Sequence, residues 1–247
     1  MPKMGDEITD IWAFLAASPL LWLTMTLVVF QGSLWINRRL GGSPVLHPVL
    51  ISMGILITIL LLTDTDYDTY FDGAQFIHFL LGPATVALAV PLYENRQQIR
   101  ALLWPLLVSG LAGAATAALS AVMIAYLMGA EWVTLMSLAP KSVTSPIAMG
   151  VSEKLGGLPS LTAALVLLTG AIGCILAPGL IRLLRIRDDR VKGFAMGLSA
   201  HGFGTAQAFG ISATAGAFAG LGLTLAGIMT AFLLPLAVNW LPTLMGG

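Results

Sequence analysis

Ala139-Pro140-Lys141-Ser142-Val143-Thr144-Ser145-Pro146 lies in the middle of an apolar stretch that runs from Trp132 to Val151. Each proline lacks a backbone donor and pushes its ring against the preceding turn, so two of them among four polar side chains argue against a straight lipid-facing helix. Irregular backbone at membrane depth is tolerated only where protein buries it or where it lines a wet cavity. The stretch therefore predicts a broken or re-entrant segment over residues 132–155.

The surroundings of this stretch are those of a membrane protein. Hydrophobic residues make up 57% of the 247, charged residues 10%, and the mean hydropathy is +0.89, against about 25% charged residues in soluble domains. Seven further apolar segments flank the broken one, V: Leu15 to Ile36 (I), Val45 to Leu62 (II), Phe76 to Leu92 (III), Leu102 to Met128 (IV), Leu158 to Leu184 (VI), Phe194 to Phe209 (VII) and Ala213 to Leu241 (VIII). Tryptophans fall mostly near the segment ends, where an amphipathic ring suits the headgroup layer. The expected fold is an all-α polytopic membrane protein, a single membrane domain over 1–247 with about seven to eight transmembrane segments. Asp6, Glu7 and Asp10 precede the first apolar run, unlike the basic start of a signal peptide, and predict a mature N-terminus.

Twelve basic residues balance twelve acidic ones, which gives no field suited to nucleic acid. Their distribution reports topology instead. Arg38 and Arg39 follow I, Arg96 and Arg100 follow III, and Arg182, Arg185, Arg187, Arg190 and Lys192 surround the VI–VII connection, whereas Asp64, Asp66, Asp68, Asp72 and Glu131 follow II and IV. The positive-inside rule puts all three basic connections on the cytoplasmic side, and eight plain crossings forbid that. If V returns to the side it came from, nine of the twelve basic residues face the cytoplasm. The preferred topology is thus an outside N-terminus, seven crossings, one re-entrant element and a cytoplasmic C-terminus. II–IV then run opposite to VI–VIII, an inverted repeat over 45–128 and 158–242. Both halves carry breaks in corresponding segments, at Gly82 and Pro83 in III and at Gly202 and Gly204 in VII, and paired interruptions point to a transporter's midplane site.

Lys141 is the sharpest polar signal, because a lysine near the bilayer centre costs about 2.5–3.5 kcal/mol and needs water or a partner. A small anion is one such partner; snorkelling to the headgroups or pairing with Glu153 are the alternatives. Ser142, Thr144 and Ser145, beside the breaks at Pro140 and Pro146, supply hydroxyls and helix-end amides suited to a carboxylate, or simply bond their own helix. His201, with Thr205 and Gln207 beyond it, binds an anion, carries a proton, or is a neutral histidine bonded between helices. Lys141, Ser142, Thr144, Ser145, Thr85, His201, Thr205 and Gln207 are the substrate-binding candidates, and Gly82, Pro83, Pro140, Pro146, Gly202 and Gly204 the helix breaks. The lone Cys174 excludes an intrachain disulfide and a cysteine metal cluster. Asp64 to Asp72 read as a solvated loop rather than a calcium site. With no phosphate loop, HExxH motif or nucleophile elbow, nothing calls for an enzyme, a metal or a cofactor.

Three blocks, Phe79 to Tyr93, Pro140 to Pro146 and His201 to Gln207, occur in the order found in the LrgB/CidB family, and the chain resembles that family over nearly its whole length. The resemblance implies one of two roles: a carrier of small carboxylates such as glycolate, glycerate or pyruvate, or a holin- or antiholin-like regulator of murein hydrolase activity and lysis. It also implies a multi-pass protein of the cell inner (plasma) membrane, a homo-oligomer, and a small LrgA/CidA-type membrane subunit as a possible partner beside the lipid bilayer.

Overall fold

The computed structural model describes residues 18–43, 46–80, 83, 86–87 and 89–244, with side chains to residue 238. Every regular element among them is a helix. The chain divides into two units, 1–87 and 88–247. The first holds α1 (Pro19–Arg39), α2 (Pro48–Leu62) and α3 (Tyr67–Phe79); the second holds α4 (Ala89–Glu94), α5 (Arg96–Ala101), α6 (Leu103–Leu127), α7 (Trp132–Leu138), α8 (Ser145–Lys154), α9 (Pro159–Leu183), α10 (Asp189–Phe209) and α11 (Ala213–Leu244). Four helices are long and apolar enough to cross a bilayer: α1, α6, α9 and Ala213–Val238 of α11. This is the hydropathy of a membrane protein, and the basic residues mark the helix ends.

In the first unit α1 opens on Pro19, whose missing donor is harmless in a first turn, and closes on Arg38 and Arg39, which suit the negative end of the helix dipole. It packs on α3 so closely that a side chain at Gly73 would overlap the Pro19 carbonyl. Trp22 meets Tyr70 edge to face at 5.8 Å. Segment III starts nine residues before its expected beginning at Phe76: Asp66 is extended at the N-cap and Asp68 sits in the first turn, where the dipole favours a carboxylate. Asp68 and Asp72 are therefore helical, not loop, residues. Gly82 and Thr85 lie outside the described residues, and Pro83 is exposed and helical.

The second unit carries the architecture that matters for function. α7 and α8 fold back on each other: Leu135 and Met136 in the middle of α7 share a buried cluster with Val151 and Leu155 at the end of α8. An uninterrupted helix would hold Leu135 and Leu155 about 30 Å apart.

α10 also turns back, at Ala200 (φ −124°, ψ 17°) and His201 (φ 41°, ψ −126°). Asp189 at its start accepts a hydrogen bond from Ser212 beyond its end at 2.9 Å, whereas a straight helix of 21 residues spans about 30 Å. The outgoing arm, 189–199, runs parallel to α11, with Gly193 against the Ala215 carbonyl and Gly197 against that of Ala219. The returning arm, 202–209, lies back along it, with Gly204 against the Met196 carbonyl. Segment VII is thus a second hairpin rather than the crossing expected from its apolar length. Its interruption falls at Ala200 and His201, not at Gly202 and Gly204, which are helical.

Three long helices surround the two hairpins. Near the base of α10, Leu106 of α6 and Phe218 of α11 meet Phe194, and Met196 meets Ala177 and Ile181 of α9. At the base of α7–α8, Val122 of α6 and Val238 of α11 meet Leu135 and Val151. The hairpins therefore stand on opposite ends of the unit and point toward each other. A further correction follows: α11 runs from the α10 base to the α7–α8 base, so Val238 lies at the end opposite the basic VI–VII connection, not on the same side as it.

Candidate functional site

The hairpin tips meet on α9. Val143, from the α7–α8 turn, packs with Ala148, Val166 of α9 and Ala226 of α11, while the Val166 carbonyl lies 2.9 Å from His201 Nε2. A carbonyl only accepts, so Nε2 donates and Nδ1 carries the lone pair of the neutral ring. Gly170 makes room for this, since a side chain there would run into the imidazole, and Gly173 admits Ala200 in the same way. One residue, Val166, thus holds both turns: one by its side chain, the other by its backbone.

Beside this seam a groove of about 510 Å³ runs along α9, bordered by Leu138 and Lys141 from the first hairpin and Ser199 from the second. Lys141 is half-buried and donates to Ser142 Oγ at 3.3 Å. The ion pairs among the described residues are Asp188–Arg190 and Asp189–Lys192, so none of the described carboxylates pairs with Lys141. Pairing with Glu153 is absent because that residue is exposed toward the far end of α8. Thr144 is the α8 N-cap, yet its side chain makes no capping bond, and Ser145 and Pro146 form the first turn. The α8 start is therefore uncapped, with its positive end near Lys141.

The candidates in VII behave differently. His201 and Thr205 are buried, and Thr205 Oγ1 donates to the His201 carbonyl at 2.9 Å. Gln207 Nε2 donates to the Cys174 carbonyl at 3.2 Å. That carbonyl needs an outside donor because Pro178, four residues on, has no N–H to give it. None of the three lines the groove. Gly202 has open space where a side chain would stand.

Sequence reasoning missed several residues. Thr169 and Ser199 line the groove. Ser137, Ser152 and Thr162, all fully buried, form a hydroxyl cluster at the α7–α8 base: Thr162 Oγ1 lies 2.7 Å from Ser152 Oγ and 3.0 Å from the Ser137 carbonyl, and Ser137 Oγ accepts from Leu158 N at 2.8 Å. Nothing in their spacing sets them apart from ordinary helix hydroxyls. Gly170 and Gly173, a close-packing pair inside an apolar helix, were the available signal for the tip contact.

Charge closes the opposite base. Asp188 caps α10, accepting from Arg190 N at 2.9 Å and forming an ion pair with the Arg190 guanidinium; these hydrogen bonds hold its carboxyl down at about 2. Asp189 accepts from both Lys192 and Ser212, and Ser212 Oγ in turn accepts from Ala215 N at 3.1 Å. This ties both ends of the α10 hairpin to the start of α11.

The LrgB-like family model matches residues 26–240, embracing all three blocks of the resemblance. The uncharacterized protein YwbG of Bacillus subtilis (strain 168) is 34% identical over 219 residues, 89% of this chain and 97% of that protein. The holin-like protein CidB of Staphylococcus epidermidis is 30% identical over 218 residues, 88% of this chain and 95% of its own. CidB of Staphylococcus aureus (strain Mu50) is 30% identical over 219 residues, covering 89% and 95%. No solved structure matches the chain.

Proposed function

This chain belongs to the LrgB-like family, and we propose that it is a secondary carrier of small carboxylates of the glycolate, glycerate and pyruvate kind. The observation that carries this reading is the meeting of two opposed hairpin tips on α9, beside a groove that holds a lysine with no ion-pair partner among the described residues. Broken helices that present free backbone ends near the midplane are the recurring substrate sites of secondary transporters.

In this reading the α10 base faces the cytoplasm. Seven of the nine basic residues in 88–247 (Arg96, Arg100, Arg182, Arg185, Arg187, Arg190 and Lys192) lie at that end, against Lys154 at the other, as the positive-inside rule demands. α6, α9 and α11 cross. The hairpin arms, of 7 and 10 residues in α7 and α8 and similar length in α10, reach about 10–16 Å each, half of a hydrocarbon core of about 30 Å. Counting whole and half crossings alike keeps eight membrane segments. The inverted repeat is then a shorter unit, one helix plus one hairpin, over 103–154 and again over 159–209 in the opposite sense, in place of 45–128 and 158–242.

Lys141 and the uncapped start of α8 hold the carboxylate, with Ser142, Thr144 and Ser145 replacing part of its hydration shell. His201, Thr205 and Gln207 support the second tip rather than touch the substrate. The setting is the cell inner (plasma) membrane, as a homo-oligomer with or without a small LrgA/CidA-type subunit. Purified protein in liposomes should take up labelled glycolate, glycerate or pyruvate with saturation, and Lys141→Ala should depress that flux. Unchanged flux in the variant would remove Lys141 from the mechanism.

The second reading is a holin-like pore or lysis regulator, favoured by the name holin-like protein given to the staphylococcal relatives. It predicts non-saturable leakage of unrelated solutes from the same liposomes.

A further inference from the structure

At the α10 base a second cavity, of about 460 Å³, lies between α6 and α10. Its floor is built from three helices: Leu106 of α6, Phe194 of α10 and Phe218 of α11 are buried there against one another. Exposed Ser109 and Ala195 stand on its two walls. The inner end is closed, because Leu198 rests on Gly113 of α6 so tightly that a side chain at Gly113 would overlap it. From Arg190 to Leu198 along α10 the cleft spans about 12 Å, close to half of a hydrocarbon core of about 30 Å.

The outer end is charged. Asp188 and Arg190 line the mouth, and Arg190 binds Asp188 through Nε and Nη2, which leaves Nη1 without a bond among the described residues. Arg100, just before Leu102 of the lining, and Arg187, next to Asp188, are exposed and have no ion-pair partner among the described residues. The Asp188–Arg190 pair is neutral as a whole, so these two guanidiniums set the sign at the mouth. Trp104, exposed beside Pro105 of the lining, marks this level as the headgroup layer, where its ring is favoured.

A closed cleft as deep as one leaflet, apolar within and cationic at headgroup level, matches the build of a charged lipid. We infer that it is a binding site for an anionic phospholipid. One acyl chain lies on Leu106, Phe194 and Phe218, a phosphate oxygen accepts from Arg190 Nη1, and Arg100 and Arg187 select the net negative charge. A soluble phosphate would leave the apolar floor in water, and a zwitterionic headgroup would bring a cation among arginines. The site is separate from the groove at Lys141 and holds for a carrier or a pore alike. By joining α6 to the outgoing arm of α10, the lipid braces the base on which the second hairpin stands.

The test counts lipids retained by the full chain in native mass spectrometry, with detergent supplemented by phosphatidylglycerol or by phosphatidylcholine of identical chains. Phosphatidylglycerol should occupy one site about tenfold more tightly than phosphatidylcholine. Arg100→Gln together with Arg187→Gln should bring that ratio toward one while leaving the Asp188–Arg190 pair in place. Ala195→Phe, which fills the cleft from the α10 wall, should abolish the tight site, and Ser109→Phe does the same from the α6 wall should the first variant not fold. Equal retention of both lipids overturns the inference. So does a tenfold preference that survives a filled cleft, which would assign it to the basic rim at large. A dimer that forms without lipid and dissociates in Ala195→Phe would give the cleft to a second copy and overturn it too.

Discussion

The α7–α8 hairpin turns over residues 139–144, with Pro140 in the turn and Pro146 in the first turn of α8, whereas α10 turns at Ala200 and His201, where no proline stands. The first turn is imposed by chemistry that breaks a helix in any surroundings. The second is imposed by packing: glycines at 193, 197 and 204 let α10 lie against α11 and against itself closer than any side chain permits, and a pinned imidazole holds a left-handed residue at the tip. A turn set by local covalent constraint tolerates changes around it. A turn set by tertiary contact does not, and four experiments measure the difference.

The largest effect should come from Gly197→Val, which forces α10 and α11 apart. Thermal unfolding of purified protein in detergent should show a loss of about 3 kcal/mol, while Gly202→Ala, with open space around it, should stay within about 0.5 kcal/mol. Equal damage from both would mean that α10 does not lie along α11 as described.

Next comes Thr162→Val, which removes the buried hydroxyl lying between the Ser137 carbonyl and the Ser152 hydroxyl at the other base. The expected loss is about 1–3 kcal/mol in the same assay, and a neutral variant would show that the buried hydroxyl cluster contributes nothing to that hairpin.

At the second tip the sign is the test. Both His201→Gly and His201→Ala lose the bond to Val166, but glycine relieves the positive φ, so His201→Gly should be the more stable of the two by about 1 kcal/mol. If residue 201 were helical, alanine would win by a similar amount.

The smallest effect is one of pH. The Asp188 carboxyl titrates at about 2 in the folded protein and near 3.9 when unfolded, so its contribution is complete above pH 4 and is lost as pH falls toward 2. The unfolding temperature of the parent should fall faster than that of Asp188→Asn across that interval. Parallel curves would detach this ion pair from the stability of the α10 base.

The same contrast explains what the sequence made legible. Apolar length and the proline pair Pro140 and Pro146 were enough to mark the helices and a broken segment V, and charge asymmetry marked which end gathers the arginines. The reversal in VII was not legible, because Ser199-Ala200-His201-Gly202 is compatible with a helix and only the fit of Gly193, Gly197 and Gly204 against distant carbonyls favours the turn. That omission also carried the C-terminal end of α11 to the wrong side. For the site, Lys141 stood out as a charge in oil. Gln207 looked like a ligand-binding amide, and its Nε2 donates to the carbonyl that Pro178 leaves unpaired while its buried Oε1 has no partner among the described residues; Thr169 and Ser199 looked like helix hydroxyls, although they line the groove.

The account depends above all on α10 turning back so that two tips meet at Val166. Nitroxide labels at Arg187 and Ile211, in a Cys174→Ala background, measure this by electron–electron dipolar spectroscopy. The reversal predicts a distance under about 20 Å, and a value near 35 Å, the span of an unbroken helix between those positions, would contradict it and leave the carrier without its seam.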